Sequence, residues 1–334
     1  MTLRHRILEL YSGIGGMHCA WNESGLEGEV ILAVDINNVA NEVYKYNFPS
    51  TPLLNRNIQC LTPDYIDKLN VNTILMSPPC QPFTRNGKYL DESDPRTNSF
   101  LYLIDMFIHL DNIEYILLEN VKGFECSTVR NIFINKLKEC KFDYQEFLLC
   151  PSSFGVPNSR LRYYCIARRN KSEWLFRRKE DIIKSLPKNY GHPIALEDIL
   201  ELNVPEKYLV SDKLLKRAKV LDICYKNSRR SCCFTKAYTH YVEGTGSVFT
   251  NATPEEVEEC YKVAKTFGDK SDDFVDTIKQ LKLRFFTPNE VLSLMSFSKN
   301  YKFPENITTK QCYRLLGNSV NVKVITELLK ILFE

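Results

Sequence analysis

The sequence predicts an α/β fold: a mostly parallel sheet with helices on both faces, joined to a smaller second unit. Three observations lead there. Short apolar runs alternate with amphipathic stretches through the first half of the 334 residues, the pattern of βαβ units whose strands are buried on both faces. After about residue 190 that alternation gives way to a charged, loop-rich region whose glycines and threonines do not suit a regular core layer. Periodic apolar order then returns at 286–297 and 313–333, so the expected division is 1–190 with 285–334 as one domain and 191–284 as a small one.

Six runs read as strands: 6–11 (RILELY), 29–34 (EVILAV), 73–76 (TILM), 115–118 (YILL), 144–149 and 163–167, the first four each ending at a turn or polar residue. Residues 38–47, 99–110 and 128–140 carry helical spacing between them. The tail NSVNVKVITELLKILF reads as a single closing helix with an apolar face. Internal repeats and low-complexity tracts are absent.

With 44% apolar and 12% aromatic residues, the chain can bury a large core. Its twelve cysteines show no disulfide-like spacing and no CxxC pair, which argues against both a zinc site and a secreted scaffold; no metal is expected. A reducing compartment fits, with a soluble protein in the cytoplasm and also the nucleus, since neither a leader nor a long apolar span is evident. A net charge of +3 does not by itself identify a nucleic-acid partner. Basic residues nevertheless gather at 168–188 and 213–230 and acids at 255–259 and 272–276; a solvated charged face is the plain alternative for each stretch.

The segment ELYSGIGGMHCAW sets Gly13, Gly15 and Gly16 between a strand and a helix, where glycine permits a tight turn and close approach of a ligand. A dinucleotide-binding GxGxxG would need glycine where His18 stands. Asp35 ends the next strand about 20 residues on, placed to accept both ribose hydroxyls, with Ile36 beside it as an apolar platform for adenine. Together these suit an adenosine cofactor lacking a pyrophosphate.

The loop MSPPCQPFTR follows the run at 73–76, at the carboxyl edge of the sheet, where open α/β folds bind ligands. A free cysteine is ordinarily a small buried hydrophobe. Here Pro78, Pro79 and Pro82 restrict the backbone about Cys80 and fix the direction of its thiol, which a nucleophile needs. In LLENVKGF, Glu119 and Asn120 end another strand at the same edge; burial would raise the Glu119 pKa and suit it to hold a proton on a ring nitrogen. In NSRLRYYCIA, Arg160 and Arg162 share one face of a strand and call for anionic company.

Taken together, ELYSGIGG, Asp35, PPCQPFT, ENV, RLR and LLGNSV resemble, in order and spacing, the motif series of the DNA cytosine-5 methyltransferases. Residues CFTKAYTHYVEGTGSV resemble the signature of the branch that methylates tRNA, beginning at Cys233, Phe234 and Thr235 and ending at Gly244 to Ser247. The resemblance implies a Rossmann-like S-adenosylmethionine-dependent methyltransferase fold with a small target-recognition domain. It places Tyr11, Ser12, Pro78, Asn318 and Ser319 at the cofactor, which leaves as S-adenosylhomocysteine. Asn57 stands where DNA-acting members usually carry an aspartate for the adenine amino group, and a backbone contact from Ile58 is the expected substitute.

By the same resemblance, Cys80 adds to carbon 6 of a cytosine, Glu119 stabilises the protonated ring, and carbon 5 is methylated. The implied substrate is cytosine 38 of aspartate tRNA, since an anticodon loop presents an unstacked base more readily than a duplex does. Arg85, Lys88, Arg96 and Lys122 are expected to bind its phosphates. A monomer with weak DNA binding and no membrane association is expected. The rival readings are a DNA-acting enzyme, a non-catalytic cofactor-binding RNA adaptor, and a nicotinamide oxidoreductase, the last opposed by His18.

Overall fold

Apolar runs of the first half form strands β1 (His5–Leu10), β2 (Gly28–Asp35), β3 (Leu53–Asn55), β4 (Thr73–Met76), β5 (Tyr115–Val121), β6 (Asp143–Leu149) and β7 (Arg162–Arg168). The structure, a computed structural model, describes residues 5–79, 97–169, 174, 181–241, 243–268 and 271–334. The seven strands order as β3-β2-β1-β4-β5-β7-β6, with β7 antiparallel to its two neighbours and the others parallel. The chain works outward from β1 to β3 and then restarts on the other side at β4. The loops that follow β1 and β4 therefore leave adjacent strand ends at the point where strand order reverses, the crevice where such sheets take ligands.

Alternation along each strand divides the core in two. Ile7, Leu75 and Leu117 face one layer, while Leu8, Leu10, Ile74, Met76, Ile116 and Leu118 face the other. Helices α1 (Gly16–Ser24) and α2 (Asn38–Asn47) cover the first face, and α3 (Pro63–Lys68), α4 (Asn98–Met106) and α5 (Thr128–Glu139) the second, through Met17, Trp21 and Val43 on one side and Ile66, Phe100 and Phe133 on the other.

The middle region contains α6 (Asp212–Leu215), β8 (Ile223–Cys224), β9 (Val248–Phe249), α7 (Pro254–Thr266), α8 (Asp272–Lys279) and β10 (Arg284–Phe285), its strands forming a small sheet in the order β10-β9-β8. Its apolar residues, among them Phe234, Phe249 and Phe274, join the core on the first face of the large sheet without a break. The chain closes through α9 (Pro288–Leu294), α10 (Thr309–Asn318) and α11 (Val322–Phe333). The closing helix read from the sequence over 318–333 is α11, which starts four residues later because α10 runs to Asn318 and a turn separates the two. The turn at Ser319 has extended backbone, and the Asn321 side chain starts α11 by accepting from the Val324 N–H. No helix among the described residues is long and apolar enough to cross a membrane.

Candidate active site

Strand register brings the site together. Leu10 pairs with both Val34 and Met76, and Met76 pairs with Leu118, so these four form one row across β2, β1, β4 and β5. The next residue on each strand is Asp35, Tyr11, Ser77 and Glu119, and all four line one cavity of about 260 Å³ at the carboxyl edge. Asp35 accepts the Gly13 and Asn37 N–H groups, each at 2.8 Å. Burial raises its carboxyl pKa against those two bonds.

Features of this end fit an adenosine ligand. The Ile36 side chain is 67% exposed at the cavity, where a core isoleucine would be covered. Gly13 adopts φ +53°, and a Cβ there would meet nothing within 4 Å, leaving open space over the loop. The Ser12 hydroxyl is buried without a hydrogen-bond partner among the described residues, the condition of a group awaiting a ligand. The closing turn completes the wall: Asn318 and Ser319 line the cavity, and a Cβ on Gly16 would stand 3.2 Å from the Ser319 Oγ. Gly15, the residue before α1, has φ +79° and packs toward Phe48 rather than the cavity.

Beneath this loop lies a polar network with no counterpart in the sequence reading. Glu9 is buried in β1, accepts the His18 N–H at 3.2 Å and the Tyr44 hydroxyl at 2.8 Å, and so satisfies the start of α1, which has no side-chain cap at Gly15. Burial pushes the Glu9 carboxyl up to about 8 and the His18 imidazole down to about 4.

At the other end, burial raises the Glu119 pKa while Arg162 and Arg160 oppose the shift. The Arg162 Nε lies 3.6 Å from Glu119 Oε1. Asn120 donates to the Pro78 carbonyl at 3.4 Å, and the Ser77 hydroxyl donates to the Tyr11 carbonyl at 3.2 Å, so the proline segment is tied to both flanking strands. Pro78 and Pro79 line the cavity. Cys80, with Pro82, Arg85, Lys88 and Arg96, lies outside the described residues.

Arg160 and Arg162 both reach the cavity, but only Arg162 is in β7; Arg160 precedes it and is buried. Arg160 donates to the Phe234 carbonyl at 3.0 Å, to the Gly317 carbonyl at 3.1 Å and to the Ser319 carbonyl, and its pKa falls through burial and the neighbouring Arg162. The anionic company expected for the pair is Glu119 and the Cys233 sulfur, which lies 3.5 Å from Arg160 and 3.7 Å from Arg162. Burial alone would raise the Cys233 thiol, yet the two guanidiniums hold it below its usual range. Burial works against the charge on Arg162, and Cys233 and Glu119 together leave its pKa raised.

Several expected contacts lie elsewhere. The Phe234 side chain is buried against Tyr238 and Phe286, so at most its backbone faces the site. Thr235 meets the closing motif through its backbone, which packs on Gly317. Asn57 and Ile58 do not line the cavity: the Asn57 carboxamide accepts the Gln59 N–H at 3.1 Å, and the Ile58 side chain belongs to the core. Lys122 is exposed just beyond β5. Cavity residues missing from the sequence reading include Asn37, Ser77 and Gly317; Asn37, next to Asp35 and capping α2, carried a legible signal.

The model of the family described as C-5 cytosine-specific DNA methylase matches residues 5–334. A Spodoptera frugiperda protein named tRNA (cytosine(38)-C(5))-methyltransferase is 69% identical over 332 residues, covering 99% of this chain and 100% of the relative. A Dictyostelium discoideum protein named DNA (cytosine-5)-methyltransferase is 37% identical, covering 98% and 94%. The crystal structure of a Spodoptera frugiperda DNMT2 mutant superposes with a TM-score of 0.94 at 69% identity, covering 99% of this chain and 100% of that one. With its strand-end carboxylates gathered at one cavity and the family pattern running from β1 to the last residue, this chain belongs to the C-5 cytosine-specific DNA methylase family.

Proposed function

We propose that the chain methylates carbon 5 of cytosine 38 in the anticodon loop of aspartate tRNA, using S-adenosylmethionine, with Cys80 as the nucleophile. The observation that carries the chemistry is the shared register row, which sets Asp35 and Glu119 at opposite ends of one cavity with Pro79 at its wall immediately before Cys80. The names of the tRNA-acting relatives support the substrate, and residues 191–284 would serve as the target-recognition domain.

Asp35 would hold the ribose hydroxyls, Ile36 the adenine, and Ser12, Asn318 and Ser319 the remaining polar groups. When bound, the cofactor supplies a sulfonium methyl group to carbon 5. Aromatic cytosine is a weak carbon nucleophile, so the Cys80 thiolate first forms a bond to carbon 6 and pushes the 5,6 electron pair into the ring. Glu119, whose pKa burial raises, would hold a proton on ring nitrogen 3 and stabilise that electron density. Arg162 fixes the Glu119 carboxyl, and its charge would favour the thiolate form of Cys80. Loss of the carbon 5 proton returns the pair, reforms the double bond and expels the cysteine.

Total tRNA incubated with the protein and S-adenosylmethionine, then sequenced after bisulfite treatment, should show a new protected cytosine at position 38 of aspartate tRNA, and Cys80→Ala should abolish it. The Dictyostelium relative favours a second reading, methylation of DNA. A wide preference for matched DNA would establish that substrate instead, and undiminished methylation by Cys80→Ala would refute the nucleophile.

A further inference from the structure

The segment that begins at Cys233 roots at the active site, reaches an exposed aromatic pair at His240 and Tyr241, and is buried again by Thr245 to Ser247. Its first residues are fixed. Arg160 holds the Phe234 carbonyl, and the Thr235 and Lys236 backbone packs so tightly on cavity-lining Gly317 that no side chain fits between them. Its centre is fixed as well: Tyr238 is buried, donates to the Ser247 carbonyl at 2.6 Å and accepts the Phe286 N–H at 2.9 Å. Of the three aromatic residues along this stretch, Phe234 and Tyr238 are core, while Tyr241 is 55% exposed.

Tyr241 is not loosely held. Its N–H donates to the Ala237 carbonyl at 3.1 Å and its carbonyl accepts the Thr245 hydroxyl at 2.6 Å; the Thr245 carbonyl in turn accepts the Thr235 N–H at 2.9 Å. Two hydrogen bonds thus link the backbone at Tyr241 to the residue packed on the cavity wall. Thr239 adopts φ +72°, an unfavourable conformation for a β-branched residue, retained in the turn that presents His240 and Tyr241. The His240 ring stands edge-on to Tyr241 with centroids 4.6 Å apart. Lys236, five residues before Tyr241 in the same stretch, is exposed, and the acid two residues after that tyrosine, Glu243, is engaged by Arg217 at 3.2 Å.

We propose that Tyr241, braced by His240, is a stacking platform for an unpaired nucleobase flanking the target cytosine, with Lys236 beside its phosphate. Exposed aromatic rings on a rigid, cationic surface are the general means of holding single-stranded nucleic acid, because every base offers a face. The proposal rests on the reading that the substrate is an RNA loop. It assigns the platform to the bases beside the target and leaves the target itself to the cavity.

The test compares the full-length wild type with Tyr241→Phe, Tyr241→Leu and Tyr241→Ala in methyl transfer to aspartate tRNA, with cofactor affinity and thermal melting measured alongside. Tyr241→Phe should behave as wild type, since only the ring is required. Tyr241→Leu and Tyr241→Ala should raise KM about 5- to 150-fold, the equivalent of about 1–3 kcal/mol for one stacked base, with kcat and cofactor affinity little changed. A 2-aminopurine placed next to cytosine 38 should be quenched by the wild type and by Tyr241→Phe but not by Tyr241→Leu. If the wild type methylates the tRNA and the leucine variant matches it in KM and quenching, the platform is refuted while the substrate assignment stands. If the wild type leaves tRNA unmethylated, the assignment fails and the platform with it.

Discussion

Replacing Gly317 with alanine tests how tightly the recognition loop is locked to the catalytic core. Gly317 lies in α10, where alanine would ordinarily gain about 1 kcal/mol in helix propensity. A Cβ there would stand 2.1 Å from the Lys236 nitrogen and 2.3 Å from the Thr235 carbonyl carbon, both backbone atoms. Reaching an ordinary contact of 3.4 Å requires a shift of about 1.3 Å, and neither side yields freely. The Gly317 carbonyl is held by Arg160, which also holds Phe234, and Thr235 is bonded to Thr245. Overpacking of this kind costs about 1–3 kcal/mol, and losing one buried hydrogen bond to the Arg160 charge about 1.5–3 more. The net expectation for Gly317→Ala is a loss of about 1.5–5 kcal/mol. It would appear as a lower midpoint in urea denaturation with an unchanged slope, and as reduced methyl transfer under conditions where the variant is folded. An alanine variant as stable as the wild type, or more so, would show that helix propensity wins and that the loop is not locked as described.

Two further outcomes follow from the site. Glu119→Gln should lower kcat about 10²- to 10⁴-fold, the usual range for a positioned proton donor. Because burial raises the Glu119 pKa, its protonated form persists above the ordinary carboxyl range and is lost as pH rises through the shifted value; the wild-type rate should fall along that limb, and a limb retained by the glutamine variant would assign it to another group. Asp35→Ala should weaken S-adenosylmethionine binding about 10- to 150-fold by calorimetry, from the loss of charge-assisted bonds worth about 1.5–3 kcal/mol to the ribose and of the acceptor for Gly13 and Asn37. Unchanged affinity would move the ribose away from Asp35.

The strands of the large sheet were legible because burial on both faces leaves continuous apolar runs, and the chemistry was legible because its residues sit where those runs stop. Leu53–Asn55 was missed since three residues carry no period, and β5 runs to Val121 because Glu119 and Asn120 remain paired to β7 although polar. Helix α7 had a readable signal in its capping box, Thr253 with Glu256 after Pro254, obscured by the run of acids that follows. At the break between α10 and α11 the buried Ser319 carbonyl accepts from Arg160, a contact between residues 159 positions apart that no local window contains. The same reason hid the burial of Phe234 and the role of Glu9: each is decided by a distant partner, where the motif residues are decided by a strand end.

The common row from Val34 to Leu118 also determines which changes of length this molecule can absorb. Residues added between strands, beyond the turns themselves, need only lengthen a surface path. One residue added within β1, β2, β4 or β5 would advance that strand's terminal group by about 3.3 Å and rotate it to the opposite face, taking it out of the cavity. Lineages descended from this sequence should therefore accumulate insertions in the crossovers while holding four strand lengths constant, a signature that would identify the cavity even where every residue lining it had been exchanged.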